Sequence, residues 1–293
     1  MAAEAHVDEW AVEDVGVAEI ERQLTLLRTA SAAESGAPGL RTSVMTHMAW
    51  VPQDWLEAAT RTLAGLAERH PSRTILLVPD PEGTDRIDAE VSLRCFPLDG
   101  QIRHVSSEVI RLRLGGRRAE APASIVTPLL ITDLPAFLRW RGQPPFGAPA
   151  LEQLVGVADR LVVDSSEWDD LPAAYARLAE LFERTAVSDI AWRRTLEWRG
   201  SLARLWPEIA KLSELRAAGP YADALLLASW LRTRLQREVE LVHDEADEVE
   251  IVAVDGRAVT APRGDPMTPS DLLSAELDDF GRDPIYEEAV RAA

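Results

Sequence analysis

Residues 43–78 read SVMTHMAWVPQDWLEAATRTLAGLAERHPSRTILLV, and the order of patterns in this stretch decides the fold. From Ser43 to Val51 the run is apolar and β-prone, and it stops at Pro52. Asp54 and Glu57, three apart, make a capping-box-like start to a helix whose buried face is Leu56, Leu63, Leu66 and Ala67, and His70-Pro71 ends it. Thr74 to Val78 is then a short continuous apolar run, the kind buried on both faces of a parallel sheet. Strand, helix and strand in this order form a β-α-β unit and place the chain in the α/β class.

Working outward, Ile87, Ala89, Val91, Leu93 and Cys95 alternate with Asp88, Glu90, Ser92 and Arg94, the period of a strand with one buried face. Ile110, Leu112 and Leu114 alternate with Arg111 and Arg113 in the same way, and Asp99-Gly100 between the two runs is a turn signal. If the two strands pair antiparallel, acids face arginines across the pair, worth about 0.2–1 kcal/mol each. Ser124–Leu130 reads as helix, Ala136–Trp140 as strand, Leu151–Ala158 as helix and Leu161–Val163 as a further buried strand. Beyond Leu171 the segments LPAAYARLAELFERT, SDIAWRRTLEWRGSLARLW, PEIAKLSELRAAG and PYADALLLASWLRTRL read as successive helices, with Trp198, Leu202, Leu205, Ile209 and Leu212 on one apolar stripe. VELV, EVEIVAV and RAVTA, with Asp255-Gly256 between the last two, read as a hairpin or small meander, and DLLSAELDDF and PIYEEAV as short helices. Toward the start, Val12–Thr29 is an amphipathic helix, and SAAESGAPG after it reads as a poorly ordered linker. The expected architecture is a mixed, mostly parallel sheet flanked by helices, followed by a helical segment and a small antiparallel β element. The expected divisions are 1–40 for the N-terminal helix and linker, 41–170 for the α/β domain and 171–293 for the C-terminal domain.

The 293 residues are 46% apolar and 27% charged with nine Trp, a composition that buries a sizeable core. A formal net charge of −18 repels phosphate backbones and anionic bilayers, so nucleic-acid and membrane partners are not expected. Lys211 is the sole lysine among 31 basic residues and asparagine is absent, a bias that fits a GC-rich genome better than a phosphate-binding role. Cys95 is the sole cysteine, which excludes an intrachain disulfide, a CxxC pair and a thiolate zinc cluster. Neither a leader peptide nor an apolar run of membrane-spanning length is visible, so a cytoplasmic location is expected. Residues 184–237 carry ten Lys or Arg against five acids, whereas 238–250 carry seven acids and no Lys or Arg, a contrast best read as complementarity within the chain.

Phosphate loops, dinucleotide fingerprints and nucleophile elbows are absent, and Gly115-Gly116 follows a strand without the rest of any of them. The histidines are scattered without ligand spacing, His47 lies in an apolar strand as a satisfied core residue, and Cys95 sits on the apolar face of its strand. No catalytic residue, metal site or cofactor is therefore assigned. The polar groups worth attention gather at two strand ends, Arg139, Trp140 and Arg141 in one place and Asp164, Ser165, Ser166 and Trp168 in the other. Asp164 and Glu167 have the spacing of an acid/base pair, and capping of the following turn explains them equally well. Arg139 and Arg141 either pair with Asp164 or, with Ser165 and Ser166, bind an anion.

The stretches RTSVMTHMAWVP, LAGLAERHPSRTILLVP, IVTPLLITDLPAFLRWRGQPPF, DRLVVDSSEW, GPYADALLLASWLRTRL and PIYEEAV together resemble the glucose-6-phosphate dehydrogenase assembly protein family OpcA, from about Arg41 to the end. The composition fits an actinobacterial member. The resemblance implies a non-catalytic assembly factor or allosteric activator that binds glucose-6-phosphate dehydrogenase and promotes its active oligomeric state in the oxidative pentose phosphate pathway. On their residue types and place at the strand ends, Arg139, Trp140, Arg141, Asp164, Ser165, Ser166 and Trp168 are the candidates for partner or anion binding. The alternative is a sensor that binds a sugar phosphate or NADP through the same Arg, Asp and Ser cluster. In photosynthetic relatives control through thiols is suspected, which the single Cys95 does not favour here.

Overall fold

The computed structural model describes residues 6–35, 43–66, 69–97, 104–261 and 267–293, which fall into two units, Met1–Leu161 and Val162–Ala293. The first unit begins with β1 (His6–Val12), α1 (Val17–Ser35), β2 (Met45–Trp50), α2 (Leu56–Ala64), β3 (Ser72–Asp80), β4 (Ile87–Pro97) and β5 (His104–Gly115). It continues through α3 (Pro122–Val126), β6 (Ala136–Trp140) and α4 (Pro149–Val155) to β7 (Arg160–Val163), which crosses the boundary between the units. Strands β1 to β6 lie in the order β1-β4-β5-β3-β2-β6. β5, β3, β2 and β6 run parallel to their neighbours, and β1, β4 and β5 antiparallel, so the sheet is mixed as its sequence implies.

The β-α-β reading of residues 43–78 holds in detail. Every residue of β2 is buried, and Met48 pairs with Ile75 on β3 and Leu138 on β6. α2 lays Leu56, Ala59 and Leu63 over Ala49, Val51 and Leu76. Its start differs from the expectation, because Asp54 forms no cap. A 3-10 turn at Gln53–Trp55 precedes the helix, and the Trp55 amide donates to the Pro52 carbonyl at 2.9 Å. Of the cross-strand pairs, Asp88 lies opposite Arg113 and Glu90 opposite Arg111, and Arg111 bonds Glu90 at 2.9 Å. Arg113 turns instead to Asp80 at 3.0 Å, and Asp88 to Arg86. β1 was not anticipated, since its partner β4 lies some eighty residues away in sequence. The side chain of Cys95, the Asp99-Gly100 turn and the later part of the 31–39 linker lie outside the described residues.

Gly115 closes β5 where a Cβ would sit 1.9 Å from the Thr84 carbonyl oxygen. That close approach accounts for Gly115, and a φ of 52° accounts for Gly116, without any ligand. His47 is fully buried as expected, but among the described residues neither ring nitrogen has a hydrogen-bond partner. Burial, aided by Arg139 and His70, lowers its pKa to about 4, which keeps the ring neutral.

The second unit holds α5 (Ala173–Ala179), β8 (Ala186–Asp189), α6 (Ile190–Arg194), α7 (Leu196–Ala203), β9 (Glu214–Gly219) and α8 (Tyr221–Leu235). β10 (Glu240–Glu245), β11 (Ile251–Val254), β12 (Arg257–Ala258), α9 (Pro269–Leu277) and α10 (Pro284–Arg291) follow. Its own sheet has the order β10-β9-β11-β12, with β9 and β10 parallel around α8 and the remaining pairs antiparallel. The β11–β12 turn carries Asp255 at φ 44° and Gly256 at φ 76°, the two positive values that a type I′ hairpin demands. ELRAAG, read as helical, is β9 instead. Leu215 and Ala217 have no exposed surface and alternate with less buried neighbours, and this packing outweighs the helix preference of Leu, Arg and Ala. The stripe Trp198, Leu202, Ile209 and Leu212 does form one core, completed by Leu215, Leu227, Leu231 and Val252. Among the described residues no helix is long and apolar enough to cross a membrane.

Candidate functional site

β6 delivers the first group of polar residues in the first unit. Arg139 is 2% exposed and donates to the Trp140 carbonyl. Trp140, also 2% exposed, stacks on Trp50 with ring centres 4.9 Å apart and planes 14° from parallel. Stacking of this kind contributes about 0.5–1.5 kcal/mol beyond the area buried. Arg141 is half-buried, its guanidinium carbon 4.7 Å from the centre of the Trp55 ring. Arg141 thus lies against a tryptophan ring, while Arg139 bonds a main-chain carbonyl.

The second group belongs to the second unit and sits in a buried polar network. Asp164, the residue after β7, caps the 3-10 turn Ser165–Glu167 by accepting from the Ser166 amide at 3.3 Å and the Ser166 hydroxyl at 2.7 Å. Ser165 has no exposed surface and shares a 2.7 Å hydrogen bond with the Tyr175 hydroxyl on α5. Trp168 is 6% exposed and leans on the Tyr175 ring at 5.8 Å. Ser166 alone of the four is exposed.

Three further residues complete the network, and sequence reasoning missed all three. Arg194, at the end of α6, donates to both oxygens of Asp164 at 2.9 and 3.0 Å and to both oxygens of Asp223 at 3.0 and 3.2 Å. Asp223, in the first turn of α8, and Asp189, at the end of β8, have no exposed surface. Asp189 caps α6 by accepting from Ala191 at 2.9 Å, and it also accepts from the Ser165 amide at 3.0 Å and the Tyr286 hydroxyl at 3.3 Å. A cap signal was present in Ser-Asp-Ile-Ala, but contacts spanning 24 to 97 residues have no local signature.

Three neighbouring carboxylates share one guanidinium that reaches only Asp164 and Asp223, so the cluster holds protons that isolated aspartates release. Burial, reinforced by Asp164, raises the Asp189 pKa to about 6. Burial raises Asp223 to about 7, with Arg194 opposing and Asp164 and Asp189 assisting. Burial also disfavours charge on Arg194, but Asp164 and Asp223 outweigh it and hold the pKa above that of an ordinary arginine. A carboxylate with a raised folded-state pKa binds its proton more tightly folded than unfolded. Its stabilisation is therefore full below the unfolded value of about 3.9 and is lost as pH rises through the folded one. For Asp189 the window runs from about pH 4 to 6. Thermal unfolding across this range should show the wild type losing more stability than Asp189→Asn, whose amide oxygen can still accept from the Ser165 and Ala191 amides and whose side chain carries no charge. Parallel curves would contradict this assignment.

Chemically the network is saturated. The oxygens of Asp164 and Asp189 are held by protein donors, and Ser165 is engaged by Tyr175. Among the described residues no group of His, Cys, Asp or Glu is arranged to hold a metal ion.

Two family models match consecutive parts of the chain. One, covering residues 64–180, is described as the N-terminal domain of a glucose-6-phosphate dehydrogenase subunit; the other, covering 185–290, is described as the C-terminal domain of the same kind of protein. Among curated proteins, the OxPP cycle protein OpcA of Synechococcus elongatus is 27% identical over 235 residues, 72% of this chain and 53% of that protein. The corresponding proteins of Nostoc punctiforme and Synechocystis sp. are each 27% identical, over 64% and 58% of this chain and 43% and 38% of theirs. The chain thus matches about half or less of the length of these relatives. All three are cyanobacterial, whereas the composition pointed to an actinobacterial source. With both domains matched in order along its length, the chain belongs to the OpcA family of proteins associated with glucose-6-phosphate dehydrogenase.

Proposed function

We propose that this chain is a non-catalytic partner of glucose-6-phosphate dehydrogenase that binds the enzyme and promotes its active oligomeric state in the oxidative pentose phosphate pathway. The observation that carries the reading is the consecutive match, over residues 64–180 and 185–290, to the two domains that make up a family of dehydrogenase subunits. The saturated strand-end network of the second unit supports the non-catalytic part, because Asp164 and Asp189 are engaged by protein donors. The same saturation weakens the reading of Asp164 and Ser165 as a sugar-phosphate or NADP pocket.

The mechanism is preferential binding. A partner that favours the active arrangement shifts that population, and a coupling of about 1–3 kcal/mol changes apparent affinity about 5- to 150-fold. Such an interface covers about 800 Å² on each partner. Of the strand-end candidates, Arg141 and Ser166 offer surface to a partner. In the second unit Trp206 and Phe280, 66% and 64% exposed, are large apolar side chains of the kind that anchor interfaces. Co-purification and sedimentation with glucose-6-phosphate dehydrogenase should give a complex that Trp206→Ala weakens. Independent sedimentation of the two proteins at micromolar concentration would contradict the proposal.

A further inference from the structure

A second polar concavity lies in the first unit, on the sheet face under α2. Register places Ser92 and Arg94 of β4 opposite Val109 and Ser107 of β5, and Val109 and Ser107 in turn beside Thr74 and Ser72 of β3. Side chains of registered partners share a face, so Ser72, Thr74, Ser92 and Ser107 meet Arg94 and Arg111 around one cavity, roofed by Thr60, Leu63 and Ala64 of α2. The inner space is about 60 Å³, room for several waters or one tetrahedral oxyanion.

Hydroxyls and guanidinium groups at the centre of a sheet face are unusual, because that surface ordinarily packs apolar residues against a helix. Three of the hydroxyls bond locally. Ser107 donates to the Ser72 carbonyl at 3.3 Å, and Ser72 and Thr74 share a 3.3 Å contact. Ser92 is 8% exposed and lines the same cavity. Arg94 has neither an ion pair nor a hydrogen bond among the described residues, and its Nε is fully enclosed. Arg111 gives one terminal nitrogen to Glu90 at 2.9 Å, while its enclosed Nε has no acceptor. Glu9, the remaining lining acid, is exposed to solvent at the rim. The enclosed Nε–H groups of Arg94 and Arg111 are thus donors without acceptors among the described residues, a costly arrangement that an acceptor-rich ligand relieves.

We propose that this cavity binds a phosphate-class oxyanion, either inorganic phosphate or the phosphoryl end of a phosphomonoester, with Arg94 as the main charge partner and Ser92 and Arg111 as further donors. The site is separate from the strand-end residues and does not depend on the dehydrogenase reading.

Titration calorimetry of the full chain with inorganic phosphate, at constant ionic strength set with chloride, should show one site per chain. Arg94→Gln should weaken it about 10- to 100-fold, the effect of one charge-assisted hydrogen bond, and Ser92→Ala less, about 3- to 10-fold. Ser92→Ala also serves as the test if Arg94→Gln fails to fold. Glycerol 3-phosphate in a parallel arm distinguishes the sources, because tighter binding than phosphate means that the mouth accepts an esterified ligand, and weaker binding means the free ion. No heat with either compound, or affinity unchanged in both variants, would overturn the proposal.

Discussion

Arg194→Gln is expected to destabilise the second unit by about 3–5 kcal/mol, the usual cost of removing one partner from a buried ion pair, and to lower its unfolding temperature by on the order of 10 °C. Arg194 makes four hydrogen bonds to Asp164 and Asp223, and glutamine replaces neither the charge nor the fork. Asp223 then sits fully buried without its cation, and burial together with Asp164 and Asp189 pushes its pKa above the value of about 7 that it has with Arg194 present. The defect should accordingly be largest above pH 7 and shrink toward pH 5, where the proton restores neutrality. Adding Asp223→Asn to Arg194→Gln should recover part of the loss at about pH 8. A defect that does not vary with pH would mean that packing, rather than charge, is what Arg194 supplies.

Glu108→Gln should destabilise the first unit on a similar scale, about 3 kcal/mol, with the opposite pH dependence. Glu108, 2% exposed, accepts from Arg73 at 2.8 Å and from Arg28 of α1 at 2.5 Å. Arg73, itself 2% exposed, reaches on to Glu21 at 2.5 Å and the Leu129 carbonyl at 2.6 Å. Without the Glu108 charge, Arg73 remains buried with Glu21 as its one carboxylate partner. Burial raises the Glu108 pKa, but Arg28 and Arg73 together outweigh it and hold the carboxyl below its ordinary value. The sign is therefore that of a lowered carboxylate, with stabilisation present above the unfolded pKa of about 4.3 and lost as pH falls through the folded one. Urea unfolding at about pH 7 should separate wild type from Glu108→Gln, and the gap should narrow below about pH 4. A gap that widens on acidification would reverse the assignment.

These two clusters mark the limit of what the sequence conveys. The 43–78 unit, the alternating β4 and β5 runs and the Asp255-Gly256 hairpin were legible because each depends on local period or turn chemistry. The Trp198 to Leu212 stripe was legible as a single core for the same reason. β9 was not, since Leu, Arg and Ala favour a helix locally and only burial among Leu227, Leu231 and Val252 makes the segment a strand. At the strand ends, capping was one of the two readings open for Asp164, and Asp164 does cap the turn Ser165–Glu167. Its partner Arg194 lies 30 residues away, and Asp223 a further 29. Nothing in the period of α6 or α8 distinguishes those two residues from solvated charges. Trp140 and Trp168 stood out as aromatic residues at strand ends, and burial places both in contact with other aromatics, Trp50 and Tyr175.

The reading of this chain as a non-catalytic dehydrogenase partner is tested most directly by titrating it into glucose-6-phosphate dehydrogenase while following both turnover and sedimentation. The account predicts a saturable rise in dehydrogenase activity that tracks formation of a mixed complex, with no glucose 6-phosphate oxidation by the chain alone. Unchanged activity and no complex at saturating concentration, or turnover by the isolated chain, would contradict it.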